Sequence, residues 1–257
     1  MTGAAADAQT FLDIAFSQVT LEDAVRWVEA QASQDRFAYV VTPNVDHLVM
    51  YHGDGDEPWR EGYRRAVAAS DLCLNDSRIL ARLASLSGIR LNVTPGSDLV
   101  RRLVERLRDK TASLALIGGR SREADWLRGA LPSCRISHFE PPMGVRDNAD
   151  ARKRIAEFIE AEQADIVLFA IGAPQSELVA HEVALRGKAR GVALCIGASV
   201  EFLSGAKRRA PEAMQKAGLE WLFRLASEPA RLWERYLLRG PRIFAIWWAS
   251  RKDAGRS

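Results

Sequence analysis

Cysteine is scarce in this chain. Cys73, Cys134 and Cys195 are the only three in 257 residues, and they stand far apart without metal-ligand spacing. Each sits in or beside an apolar run such as "DLCLN" or "VALCIG", so all three are expected to be buried hydrophobes in a reducing cytoplasm. Long apolar runs are also missing. No stretch approaches the roughly 20 residues that cross a bilayer, and the N-terminus lacks a basic segment followed by an apolar core. A soluble or peripheral cytoplasmic protein is expected. The chain has no internal repeat, no low-complexity linker and no G-x-G-x-x-G dinucleotide fingerprint. It also offers no convincing acidic pair for a divalent metal. The nearest candidate, "DGDE" at 54–57, contains glycine and reads as a solvated loop.

What is present points to a large folded body. Hydrophobic residues make up 47% of the chain, enough for one sizeable core with or without an appendage. The net charge of +3 hides an asymmetry, because residues 206–257 carry an excess of seven positive charges and leave 1–205 net negative by four. Two regions are therefore expected. The body, 1–205, suits a small ligand, and the basic appendage, 206–257, suits an anionic partner such as a membrane or a nucleic acid.

Strand-like runs at 37–42, 71–75, 113–119, 135–140, 165–172 and 191–197 alternate with amphipathic stretches such as "LEDAVRWVEAQAS", "RILARLASL", "LVRRLVERLRDK" and "ARKRIAEFIEAEQ". Several of the runs are apolar on both faces, as strands of a parallel sheet covered on both sides must be. The pattern predicts an α/β fold: a Rossmann-like three-layer domain with a mostly parallel sheet, followed by a basic helical appendage.

The polar residues of interest fall where strands end. "VVTPNVDHLVM" (40–50) reads as a buried strand that breaks at Thr42-Pro43-Asn44 and resumes with Asp46, His47 and apolar residues. Ligands of open α/β sheets bind outside the carboxyl ends of strands. "LIGGRSRE" places Gly118 and Gly119 between a strand and a helix, where backbone N–H groups can meet a phosphate or the glycines can simply permit a tight turn. In "AIGAPQSE", Gly172 ends a strand, Pro174 suits the first helical turn, and Glu177 is either a ligand-facing carboxylate or one favoured by the helix dipole. Asp76 follows "DLCLN" and reads equally as a helix N-cap. His47, with no ligand-spaced partner, reads as a packing or pocket-wall residue and not as a metal ligand.

Taken in order and spacing, "TPNVDHL", "SDLCLND", "TPGSDLV", "LIGG", "PPMG", "DIVLFAIGAP" and "RAPEAMQKAGLEWLFRLASEPARLWERYL" resemble the WecG/TagA/CpsF glycosyltransferases over about residues 11–245. The resemblance implies an inverting transfer without a cofactor, and the lack of a convincing acidic pair leads to the expectation that it needs no metal. A UDP-sugar would be the donor and a polyprenyl-diphosphate-linked saccharide at the inner face of the cytoplasmic membrane the acceptor, in cell-surface polysaccharide synthesis. It implies Asp76 as the base that deprotonates the acceptor hydroxyl, with Thr42 and Asn44 lining the donor pocket. Gly118, Gly119, Gly172, Pro174, Ser176 and Glu177 are the further donor-side candidates. Three positions depart from the family pattern. Ser176 stands where a glutamine is expected to contact the donor, Glu201 where an aspartate is usual, and Ser77 where a glycine is usual. A nucleotide-sugar-binding homologue with lost or altered catalysis is the alternative.

In the appendage, Arg231, Arg235 and Arg239 recur at i, i+4 and i+8 beside Leu232, Trp233, Tyr236 and Leu237, the layout of an amphipathic helix. "IFAIWW" follows, with Trp247 and Trp248 near Arg242, Arg251 and Lys252. These fit an interfacial segment on an anionic leaflet, against the alternative of a helix docked on the core. Arg224, Arg231 and Arg235 are expected to reach an acceptor or a diphosphate, that of the donor included. The aromatic residues follow the apolar side of a helix and lack a stacking-platform layout, so no nucleic-acid partner is expected. The formation of a homo-oligomer is left open.

Overall fold

The structure, a computed structural model, describes residues 7–53 and 57–254; Asp54 to Asp56 of the "DGDE" run lie outside the described residues. A short antiparallel hairpin opens the chain, β1 (Ala8–Phe11) with β2 (Ile14–Ser17); the sequence pattern had not suggested it. Next come α1 (Leu21–Ala32), β3 (Ala38–Val41), α2 (Val45–Tyr51), α3 (Pro58–Ala68), β4 (Leu72–Cys73), α4 (Arg78–Ser85) and α5 (Gly96–Leu107). β5 (Ser113–Gly118), α6 (Ser121–Ala130), β6 (Arg135–Phe139), α7 (Ala149–Glu162), β7 (Ile166–Ala170), α8 (Gln175–Arg186), β8 (Val192–Cys195) and α9 (Ser199–Leu203) complete the body. The six later strands form one all-parallel sheet in the order β4-β3-β8-β7-β5-β6.

Alternate side chains of each strand enter different layers, as the two-residue period requires. Tyr39, Val41, Val167, Phe169, Ala193 and Cys195 pack with α2, α3, α7 and α8 on one face. Val40, Ile166, Leu168, Val192 and Leu194 pack with α1, α5 and α6 on the other. The three-layer expectation is met. Cys73 and Cys195 are buried as expected, but Cys134 is only half-buried, just before β6.

The stretch 40–50 is not an interrupted strand. Its second half is α2, because Asn44 caps a helix there. The Asn44 Oδ1 accepts from the backbone N–H of Asp46 at 3.0 Å, and His47 Nδ1 accepts from the N–H of Asn44 at 3.1 Å. This reciprocal capping satisfies donors that a helix start leaves open. The apolar residues that suggested a second strand, Leu48 and Val49, are instead the buried face of this short helix.

The appendage comprises α10 (Glu212–Ala217), α11 (Glu220–Ser227), α12 (Pro229–Trp233), a π-helical segment (Glu234–Arg239) and α13 (Arg242–Ala254). α13 docks on the body. Ile243 is buried, Ile246 and Trp247 pack against the core, and Trp247 Nε1 donates to Ser87 Oγ at 2.8 Å. Trp247 is thus a docking residue, while Trp248 and Phe244 stay 57% and 52% exposed.

Candidate active site

The carboxyl ends of β3, β4, β7 and β8 open into three adjoining cavities roofed by the appendage. The central one, about 290 Å³, is lined by Thr42, Asn44, Gly172, Ser176, Glu177 and Glu201 among others. A second, about 150 Å³, extends over α4 and α5 past Ser77, Val93 and Asp98 to Trp221 and Tyr236 of the roof. A third recess, about 360 Å³, lies beside Pro174, Gln175 and Arg146 under Arg231, Arg235 and Arg239. Asp76 stands on the wall shared by the first two.

Asp76 is not the N-cap of α4. Ser77 takes that role, its Oγ accepting from Leu80 N–H at 3.3 Å, while Asn75 Oδ1 accepts from Ser77 N–H at 3.0 Å. The Asp76 backbone is fixed by its own N–H donating to the Pro43 carbonyl at 3.0 Å. Its carboxyl makes no hydrogen bond to another described residue and faces the cleft. Burial pushes its pKa up to about 8; the carboxylates of Glu220 and Asp98 push the same way, and Arg224 and Arg209 oppose them. A carboxylate with a pKa near the working pH is suited to accept a proton.

Glu177, in the first turn of α8, is 3% exposed, and burial raises its pKa to about 7. Its Oε2 has no hydrogen-bond partner among the described residues, and its Oε1 lies 3.9 Å from His47 Nε2. Because His47 Nδ1 accepts from the Asn44 N–H, the neutral ring carries its proton on Nε2, toward Glu177. Burial, then Arg235, lowers the His47 pKa to about 4, so the ring is neutral. His47 therefore serves as wall and capping partner. Two neighbouring hydroxyls are already engaged: Thr42 Oγ1 donates to the Cys195 carbonyl at 2.9 Å, and Ser176 Oγ to the Gly172 carbonyl at 2.8 Å. Glu201 is paired with Lys207 at 2.8 Å.

The roof supplies the cations. Arg224 lines the first two cavities and lies 5.3 Å over the Phe202 ring. Arg231 lines the central cleft and the recess while paired with Glu228 at 2.6 Å. Arg235 lies 3.2 Å from Asp46 of α2. The expected regular amphipathic helix is replaced after Trp233 by the π-helical turn, yet Arg231, Arg235 and Arg239 still converge on one recess. The neighbouring apolar side divides, with Leu232 buried against the body and Trp233 and Leu237 about half exposed.

Of the sequence candidates, Thr42, Asn44, Asp76, Gly172, Ser176, Glu177, Arg224, Arg231 and Arg235 meet at the central cleft, and Pro174 lines the recess. Gly118 and Gly119 line none of the three cavities. Both have positive φ, and a Cβ on Gly118 would come within 2.5 Å of Ile171 Cγ2, so tight geometry accounts for them. Asp46, Glu220 and Arg209 also line the site. Glu220 had a signal, since it stands four residues before Arg224 and thus shares its helix face. Arg209 and its 2.8 Å partner Asp98 are 111 residues apart and had none.

Among the described residues, no group of three or more His, Cys, Asp or Glu side chains is arranged to hold a metal ion, and no helix is long and apolar enough to cross a membrane. Residues 9–257 match the family model of the glycosyl transferase WecG/TagA/CpsF family. The chain belongs to that family, and with it to the glycosyltransferases of surface-polysaccharide synthesis.

Proposed function

We propose that this glycosyltransferase is an inverting, metal-independent enzyme. It would carry a hexosyl or N-acetylhexosaminyl group from a UDP-sugar to a polyprenyl-diphosphate-linked saccharide at the inner face of the cytoplasmic membrane. The observation that carries the reading is Asp76, a carboxylate of raised pKa with no hydrogen bond among the described residues, on the wall between two cavities that share the cation Arg224. The donor occupies the central cleft beside Thr42, Asn44, Gly172, Ser176 and Glu177; the acceptor sugar enters from the second cavity. The acceptor hydroxyl oxygen attacks the anomeric carbon from the face opposite the leaving group. Its proton passes to Asp76, the anomeric C–O bond breaks, and UDP departs with the electron pair. Arg224, Arg231 and Arg235 offset the charge that develops on the diphosphate, the role of fixed cations in a partly dry site.

Membrane contact is supported by the outward side of the roof. Leu219, Leu222, Trp233, Leu237, Leu238, Phe244 and Trp248 are all at least 40% exposed. They lie within the basic segment, a combination suited to an anionic lipid surface.

A binding homologue without transfer is favoured by one observation, the Ser176 hydroxyl turned back onto the Gly172 carbonyl, where the family's longer side chain would extend into the cleft. The two readings separate in one assay, a panel of UDP-sugars offered with a short-chain polyprenyl-diphosphate glycoside, with and without EDTA. Transfer with inverted anomeric configuration that survives the chelator is the expected result. UDP-sugar binding without turnover across the panel selects the second reading, and activity lost to EDTA and restored by Mg²⁺ or Mn²⁺ removes the metal-independent mechanism.

A further inference from the structure

Among the described residues, only Asp46 and Arg235 line all three cavities. They come from different regions. Asp46 sits in the first turn of α2, held by its N–H donating to Asn44 Oδ1 at 3.0 Å, on a helix anchored by buried Leu48 and Val49. Arg235 projects from the π-helical segment of the roof. Their side chains are 15% and 23% exposed, and Arg235 Nε lies 3.2 Å from Asp46 Oδ2.

The pair is close but incomplete. Among the described residues Arg235 Nε has no hydrogen bond in spite of the short distance, so the approach is out of line, and Asp46 Oδ1 is also buried without a partner. Neither Nη group of Arg235 bonds to a described residue, and of the three guanidinium nitrogens only Nε is buried and unpartnered. The carboxylate therefore meets one edge of the guanidinium while its fork stays open to the cavities. A planar guanidinium binds phosphate oxygens with two parallel N–H donors, and that geometry is productive only when the plane is held. Arg235 also lies 5.7 Å over the Tyr236 ring and shares the central cleft with Arg224 and Arg231, so loss of the Asp46 charge leaves its guanidinium among like charges with only the ring contact to set its plane among the described residues.

We propose that Asp46 is a positioning residue: it holds the edge of the Arg235 guanidinium where the cavities meet, leaving the fork aimed for a diphosphate. The inference rests on the reading of the cleft as a diphosphate site and adds a residue that acts on the ligand through Arg235. It also assigns a direction, from the anchored helix of the body to a side chain of the roof.

The test is a titration of the full-length protein with UDP, and separately with inorganic pyrophosphate, for the wild type, Asp46→Asn, Asp46→Glu, Arg235→Gln and the Asp46→Asn/Arg235→Gln double variant. Asp46→Asn should weaken both ligands about tenfold or more, as loss of one partner of a desolvated charge pair does. Asp46→Glu, which restores the charge, should recover most of the loss. The double variant should bind no worse than Arg235→Gln alone, because the aspartate acts only through the arginine. A melting scan gives the readout for a purely structural role. If Asp46→Asn and Asp46→Glu melt equally low and bind equally poorly, the aspartate is a fold determinant and the proposal fails. It fails too if Asp46→Asn binds as the wild type does, binds more tightly, or adds its full effect to Arg235→Gln. A wild type that binds neither UDP nor pyrophosphate removes the diphosphate reading and this inference together; a wild type that binds both with Asp46→Asn unimpaired removes this inference alone.

Discussion

Along β3 and β8 every side chain is buried, and along β7 all but the last. From residue 206 onward, by contrast, only Ala210, Leu232 and Ile243 are buried among the described residues. The body folds around its own apolar area. The roof has almost no core of its own and stays in place by a few apolar anchors, the Trp247–Ser87 hydrogen bond and ion pairs such as Arg209–Asp98 and Arg235–Asp46. Segments with few buried contacts open at lower free energy than the core they lie on. Catalysis as proposed needs both regions, because the base belongs to the body and the cations to the roof.

Truncation after Gly205 should break the arrangement most completely. The body should still unfold cooperatively, while transfer is lost even on a water-soluble acceptor and the protein no longer sediments with anionic liposomes. A truncated protein with full activity on the soluble acceptor would reduce the roof to an anchor, and one that also binds liposomes normally would leave it with neither role.

Asp76 sharpens the comparison, because its chemistry is set from both regions. Asp76→Asn should lower turnover about 10²- to 10⁴-fold with UDP binding nearly intact. As a base Asp76 must be ionised, so kcat/KM should rise with pH on a limb near 8. Glu220→Gln removes a negative neighbour contributed by the roof and should move that limb to lower pH; Arg224→Gln should move it higher. An unmoved limb in both variants would mean that the roof does not tune the base. Stability carries the opposite sign. The folded-state pKa values of Asp76 and Glu177, about 8 and about 7, lie above their ordinary values. The folded state therefore loses stability as pH rises from about 4 through about 8. Asp76→Asn should flatten that loss and melt higher than the wild type at pH 8, as measured by parallel thermal scans.

The smallest expected effects separate two adjacent tryptophans. Trp247→Ala removes a docked ring and its hydrogen bond, and should cost about 1–3 kcal/mol of stability. Trp248→Ala should leave the melting temperature unchanged and weaken liposome binding alone. Equal effects of the two on both measurements would contradict the division of α13 into a docked and an outward side.

Much of the body could be read directly. The runs 113–119, 165–172 and 191–197 became strands, because two-sided apolar segments of that length can be satisfied only inside a covered parallel sheet, while 135–140 became the less buried edge strand β6. Asp76, Asn44 and Glu177 were legible as candidates from their places at strand ends. The second half of 40–50 has a strand-like sequence yet folds as helix, because a capping exchange between a side chain and a backbone three residues away leaves no periodicity in so short a segment.

What the amino-acid order determined by itself is the covered sheet, the polar residues at the ends of its strands and the excess of positive charge after residue 205, all of them properties of local pattern and composition. The tertiary structure decided the rest. It made Ser77, not Asp76, the helix cap, and it turned the Ser176 and Thr42 hydroxyls onto backbone carbonyls. It placed Gly118 and Gly119 away from the cleft, docked Trp247 while exposing Trp248, and brought Arg235 to Asp46 across 189 positions of the chain. The physical reason is that hydrogen bonds, desolvation and ion pairing depend on distance and direction in space. Those are set only when the roof closes over the sheet, and residues far apart in the chain carry no mark of the partner they will meet.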